Sequence, residues 1–277
     1  MDEQEVYRAI VAAQEQGISI ALATVIRTIG SMPRHVGSKM IVWTDGRIVG
    51  TVGGGAMESK VIAEAQAVIA SGNSKIVSYT LNDLKDGDPG ICGGTADIFL
   101  EPLLSQPTLV VIGCGHVGKA LAELGKWMGF RVVVSDDRAD FCNPQHIPGM
   151  DAYVVAPPSQ LSAHVDLNLR TYVAAVTRGL PVDLELFPPL LNADIAYLGL
   201  IGSRRRWALT IKALEERGFK REQIARVHAP IGLELNAETP QEIALSIMAE
   251  ITMLRRGGTG KPMQWIGTPD AASGHDR

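Results

Sequence analysis

The residues best suited to chemistry in this chain of 277 residues are glycines. Gly53, Gly54 and Gly55 stand in a row within Gly50-Thr-Val-Gly-Gly-Gly-Ala-Met-Glu58, between a strand pattern and a helix pattern. Glycine loses more backbone entropy on folding than any other residue, so a run of it needs a conformational reason. A tight strand-to-helix turn supplies one. Its bare N–H groups can close on an anion, and the following helix adds its positive N-terminal end. A second loop, Gly113-Cys-Gly-His-Val-Gly118, repeats the logic where a nucleotide-binding fingerprint belongs. There Gly113 allows the tight turn, Gly115 lets backbone approach a diphosphate, and Gly118 permits close helix–strand packing. Asp136, at the end of the next strand pattern, holds the position of a ribose-binding acid, with Asp137 and Arg138 beside it; a solvated strand end is the plainer alternative. A third turn, Gly202-Ser-Arg-Arg-Arg206, joins a glycine, the capping Ser203 and the cations from Arg204 onward. A guanidinium fork suits phosphate oxygens, although a solvated basic helix face has the same composition.

Two further side chains are candidates for reactivity. Cys92 sits in Gly90-Ile-Cys-Gly-Gly94, where small neighbours, Gly93 and Gly94 among them, leave its sulfur approachable. An accessible thiol near positive potential favours the thiolate, the form that contacts metals. Glu58, just inside its helix, is the best lone acid–base group, or else a favourable charge at a helix start. Cys114 lies inside the fingerprint and is placed to line the same site; Cys142 reads as structural. No residue set resembles a hydrolytic triad, and the histidines lack metal-ligand spacing.

These groups must be positioned by two α/β units. The first, 1–104, carries an amphipathic helix over 5–16, strands over 18–26, 39–43, 47–51, 75–81 and 95–101, and a helix over 57–71. Asp45-Gly46 between apolar runs predicts a hairpin. The segment 102–107 is the expected linker. The second unit, 105–260, alternates apolar strands (108–112, 131–135, 153–156, 171–176, 196–201) with helices, the pattern of a Rossmann-like parallel sheet covered on both faces. Residues 261–277 read as a mobile tail. The net charge of −4, with acids and bases interspersed, argues against nucleic acid as a partner. The three cysteines lack CxxC spacing, no apolar run approaches the roughly 20 residues that span a bilayer, and the first residues lack a signal pattern. The expected setting is the cytoplasm, away from membranes.

Taken together, Gly30-Ser-Met-Pro-Arg34 with Gly37, the Gly50–Glu58 turn, Cys92-Gly-Gly94, Gly113–Gly118, Asp136-Asp-Arg138, Gly202–Arg206 and Ile231–Glu250 resemble the XdhC/CoxI family. Its members are accessory proteins of xanthine dehydrogenase and related molybdenum hydroxylases. The resemblance runs over about 7–260 and departs at Thr177-Arg178, where the family often has Thr-His. It implies an N-terminal XdhC/CoxI-type domain and a C-terminal Rossmann-like domain closed by a helix. It also implies a chaperone with no turnover of its own, which binds the molybdenum cofactor in its molybdopterin form. Such a chaperone shields the cofactor while sulfur arrives from a cysteine desulfurase and delivers it to a xanthine dehydrogenase-type hydroxylase, with Cys92 as the candidate molybdenum contact. A homodimer is expected. The rival readings are an NAD(P)-dependent oxidoreductase built on the Rossmann half and an assembly scaffold with an empty crevice.

Overall fold

The computed structural model describes residues 3–80 and 94–264. Its contacts divide the chain into two compact units, Met1–Gln106 and Pro107–Arg277.

The first unit is a five-stranded antiparallel sheet with one helix on each face. Its elements are α1 (Glu3–Glu15), β1 (Ile20–Ile29), β2 (Lys39–Trp43), β3 (Ile48–Gly50), α2 (Gly55–Ser71), β4 (Lys75–Thr80) and β5 (Thr95–Leu103), with sheet order β3-β2-β1-β5-β4. Strand alternation sorts the core: Ala21, Ala23, Met40, Val42, Ile98 and Leu100 face α2, while Ile20 and Ile41 face α1. The hairpin forms at Thr44–Gly46, with Gly46 at φ 84° and its N–H on the Trp43 carbonyl. β5 runs on into the expected linker and includes Pro102. Its pairing with β4 ends at Leu100, so the missing N–H at Pro102 costs no ladder bond on that side.

The second unit carries a parallel sheet of six strands. These are β6 (Thr108–Ile112), β7 (Arg131–Asp136), β8 (Ala152–Val155), β9 (Thr171–Ala175), β10 (Tyr197–Leu200) and β11 (Val227–His228). Helices α3 (His116–Trp127), α4 (Leu161–His164), α5 (Leu180–Leu191), α6 (Arg204–Glu216), α7 (Arg221–Ile224) and α8 (Pro240–Arg256) connect or close it. Leu109, Val111, Val132 and Val134 pack under α3 and α8, while Val110, Ile112, Val133 and Val173 pack under α4 to α7. Both faces are thus covered, as near-continuous apolar strands require. The order β11-β10-β9-β6-β7-β8 reverses direction between β6 and β9. That is the doubly wound Rossmann order, with its ligand crevice expected beyond the carboxyl ends of the strands at the reversal. No described helix is long and apolar enough to cross a membrane.

Candidate functional site

A cavity of about 280 Å³ opens at that reversal. Its wall comes from four consecutive strand ends: Ile112 at the end of β6 with Gly113, Gly115 and His116 after it; Ser135–Arg138 and Phe141 from β7 onward; Ala156 and Pro158 after β8; Val176–Arg178 and Val182 after β9. The three fingerprint glycines differ in their surroundings. Gly113 has φ 104°, and a β-carbon there would lie 2.6 Å from the Val176 carbonyl oxygen. At Gly118 a β-carbon would overlap the Gly113 carbonyl oxygen, so the helix sits tight against the turn. Gly115 caps α3 and has nothing within 4 Å of its would-be side chain. Its bareness faces open space, where a ligand can approach backbone.

Asp136 is oriented differently from a ribose-binding acid. Its side chain is 2% exposed. It accepts four hydrogen bonds: Cys114 N–H at 2.8 Å, and Arg138 N–H, Nε and Nη2 at 3.0, 2.8 and 2.9 Å. A carboxylate offers about four acceptor sites, so none remains for ligand hydroxyls. Burial pushes this carboxyl up, but the Arg138 guanidinium and the amides of Cys114 and Arg138 outweigh it and hold the group well below the usual carboxylate range. Asp136 therefore organises the loop from within. Arg138 is fixed further by stacking 4.1 Å above the Phe141 ring. Arg178 lies along the same wall and forks onto Asp137 at 2.8 and 2.7 Å.

Cys114 also departs from expectation, being fully buried in the core rather than lining the cavity. The neighbouring Cys142 side chain and burial push its thiol far above the ordinary thiol range. Its peptide is held on both sides: the N–H by Asp136, and the carbonyl by His146 Nε2 at 3.0 Å. A carbonyl can only accept, so that ring nitrogen carries the proton.

The Gly202–Arg206 turn lies after β10 and contributes no residue to the cavity wall. Ser203 caps α6, accepting the Arg206 N–H at 3.2 Å. Arg204 points to solvent. The inward cation is Arg206, which reaches the fully buried Asp183 through Nε and Nη2 at 2.8 and 2.7 Å. It also donates to Thr177 Oγ1 at 2.6 Å and to the Thr177 carbonyl at 3.2 Å. Helix phase decides this: the cap aims the third arginine of the run back at the β9 end. Arg206 thus stiffens the Thr177-Arg178 wall instead of meeting a ligand.

In the first unit the glycine turn forms, with Gly54 at φ 85°, ψ 176° and Gly55 at φ 65°. The Gly54 conformation is essentially reserved for glycine, and open space lies on its β-carbon side. Glu58 accepts the Thr51 hydroxyl at 2.5 Å, and that hydroxyl accepts the Gly53 N–H at 3.3 Å. Glu58 thereby braces the turn, which differs from a freestanding acid–base group. Gly94 is buried, and a β-carbon there would meet the Ser31 carbonyl oxygen, so the close packing demands glycine. Cys92 and Gly93 lie outside the described residues. Among the described residues no group of three or more His, Cys, Asp or Glu is arranged to hold a metal ion.

Sequence reasoning missed the acceptor role of Asp183, the ring of Phe141 and the apolar wall at Ala156, Pro158 and Val182. The signal available was position, since each but Asp183 and Val182 closely follows a strand of the doubly wound pattern.

Comparison with known proteins adds a lineage. The family model described as the XdhC Rossmann domain matches residues 109–251, and that of the XdhC and CoxI family matches residues 13–80. The uncharacterized protein YqeB of Escherichia coli (strain K12) is 35% identical over 264 residues, 95% of this chain and 48% of YqeB. The chain thus spans about half of that relative's length. The molybdenum cofactor insertion chaperone PaoD of the same strain is 27% identical, with 92% of this chain and 89% of PaoD covered. Among solved structures, a xanthine dehydrogenase from Bacillus halodurans aligns at 21% identity and TM-score 0.49, covering 97% of this chain and 98% of that one.

Proposed function

Because the chain belongs to the XdhC and CoxI family, we propose that it is an insertion chaperone for the molybdenum cofactor, serving a xanthine dehydrogenase-type hydroxylase. The observation that carries the reading is the alignment with PaoD along most of both chains, together with family models matching both units. The described residues fit a cargo that is anionic and of pterin size. The cavity is near the lower end of small-molecule sites, which run from about 300 Å³ upward. Gly115 offers open backbone at a helix start, and Arg138 and Arg178, each paired with a wall carboxylate, still present unengaged N–H donors to the cavity.

In this reading Gly113 and Gly118 set the turn, Gly115 meets the cargo's phosphate, and Asp136 with Arg138 holds the loop in its receiving shape. Gly53–Gly55, braced by Glu58, are a second place for an anionic group in the first unit. Cys92, Gly93 and Gly94 are a further part of the site in this reading, with the Cys92 thiol at the molybdenum or its sulfido ligand. Gly202, Ser203 and Arg204 contribute indirectly, by seating the helix that carries Arg206. The protein holds the molybdopterin form while a cysteine desulfurase supplies sulfur, then passes it to the apo-hydroxylase. It does so as a cytoplasmic homodimer, without turnover of its own.

The test is to purify the protein from cells that make the cofactor. Molybdenum content and the pterin fluorescence seen after acid oxidation are then measured. Stoichiometric amounts of both are expected. Protein that carries a nicotinamide nucleotide and no pterin would make it an NAD(P)-dependent oxidoreductase instead, and protein that carries neither would make it a scaffold.

A further inference from the structure

The wall beyond β7 holds an imbalance of donors over acceptors. The Asp136 acceptor sites are filled by Cys114 and Arg138, while each Asp137 oxygen takes one Arg178 N–H and keeps room for a second, fewer open acceptor sites than the two guanidinium groups have open donors. On the donor side each guanidinium is only partly engaged. Arg138 gives Nε and Nη2 to Asp136, and Arg178 gives Nη1 and Nη2 to Asp137, with a looser approach to Asp136 at 3.9 Å. Arg138 and Arg178 are 39% and 50% exposed and both line the cavity. A guanidinium offers donors only and cannot lose its charge. A ribose diol presents hydroxyls that need an acceptor, and here the acid in the diol-reading position is saturated. A phosphate monoester presents acceptors only and matches the remaining N–H groups. Arginine at this position of a Rossmann crevice is also the known means of accommodating a ribose 2′-phosphate.

From this we infer that the crevice selects a ligand by its phosphate monoester, read by Arg138 and Arg178, and discriminates against the same ligand ending in a free diol or hydroxyl. The inference rests on the reading above only in taking the crevice as the ligand site. Such a monoester has two sources, the 2′-phosphate of a nucleotide and the terminal phosphate of a pterin.

Calorimetric titration of the full chain with two matched pairs separates them. One pair is NADP⁺ and NAD⁺; the other is the stable oxidised pterin of the molybdenum cofactor with and without its phosphate. In at least one pair the phosphorylated member should bind about tenfold tighter or more, and that pair identifies the source. Arg178→Gln should narrow the gap while leaving the Asp136–Arg138 pair and the melting temperature intact. Equal affinities within both pairs, or tighter binding of the dephosphorylated members, would overturn the inference. Failure of the chaperone reading looks different, as purified protein without molybdenum or pterin, and leaves these titrations interpretable.

Discussion

Gly115 and Gly118 lie on one turn of the same helix and have opposite vulnerabilities. An alanine β-carbon at Gly118 meets the Gly113 carbonyl, a backbone atom that cannot swing aside. Gly118→Ala should therefore destabilise the protein by about 3 kcal/mol, the upper part of the range for overpacking. At Gly115 the backbone angles, φ −73° and ψ −167°, suit alanine and space is open. Gly115→Ala should change stability by no more than about 0.5 kcal/mol and yet weaken ligand binding by crowding the approach to backbone. Thermal melts beside titrations would separate the two effects; a folded, tight-binding Gly115→Ala protein would remove this glycine from the site. The identity of the fingerprint glycines was legible in the sequence because spacing between a strand and a helix is local information. The orientation of Asp136 was not. It depends on whether Arg138 and the Cys114 amide outbid a ligand, a competition that exists only once the β7 end and the loop are side by side.

At the scale of elements, α8 is tied to β10 and β11 through one carboxylate. Glu250 takes the Tyr197 hydroxyl, His228 Nδ1 at 3.0 Å and the Gly232 N–H at 2.8 Å. Burial raises its pKa, but these three partners prevail and hold it below the ordinary 4.5. A depressed carboxyl contributes stability that is fully present above the unfolded value and is lost as pH falls through the folded one. The wild type should accordingly lose more stability below pH 4.5 than Glu250→Gln does, as chemical denaturation at a series of pH values would show. If the two profiles run parallel, Glu250 does not fasten the helix. The α6–α5 junction has a different weakness. Arg206→Ala would strand the buried Asp183 without its cation, and removing one partner of such a pair costs about 3–5 kcal/mol. Arg204→Ala, on the solvent side, should be close to neutral. The arginine run itself was visible in the sequence; which arginine turns inward follows from the Ser203 cap setting the helix phase. Strand ends shifted for a comparable reason. β1 reaches Ile29 because β5 pairs with it across a bulge after Val25, a partner that no local pattern names.

For the whole molecule, the two-unit α/β organisation was legible because apolar alternation and punctuating glycines recur along the entire chain. The strand order was not, since hydrogen-bonded neighbours such as β6 and β9 lie far apart in sequence. The proposed function predicts a definite cellular outcome. Deleting this protein should leave the hydroxylase partner expressed and assembled, with its iron–sulfur and flavin groups in place and only the molybdenum site empty or lacking sulfur. Substrate oxidation should fail while NADH-to-dye electron transfer persists. Hydroxylase that is already loaded should run at full rate alone; a requirement for this chain in every turnover would make it a catalytic subunit. Within the same assay, Cys92→Ala should lower molybdenum retention and Cys142→Ala should not, and equal retention would remove the Cys92 contact.

The double hold on the Cys114 peptide gives the crevice its own isotopic record. An amide bonded to a buried carboxylate opens rarely, so the Cys114 N–H should exchange with deuterium slowly whether or not cargo is present. The amides that open α3, at His116 and Val117, belong to the first turn, where helix N–H groups have no intrahelical acceptor, and should exchange fast until an anion covers them. Arrival and departure of the cargo would then be readable at two peptide bonds beside an unchanging reference.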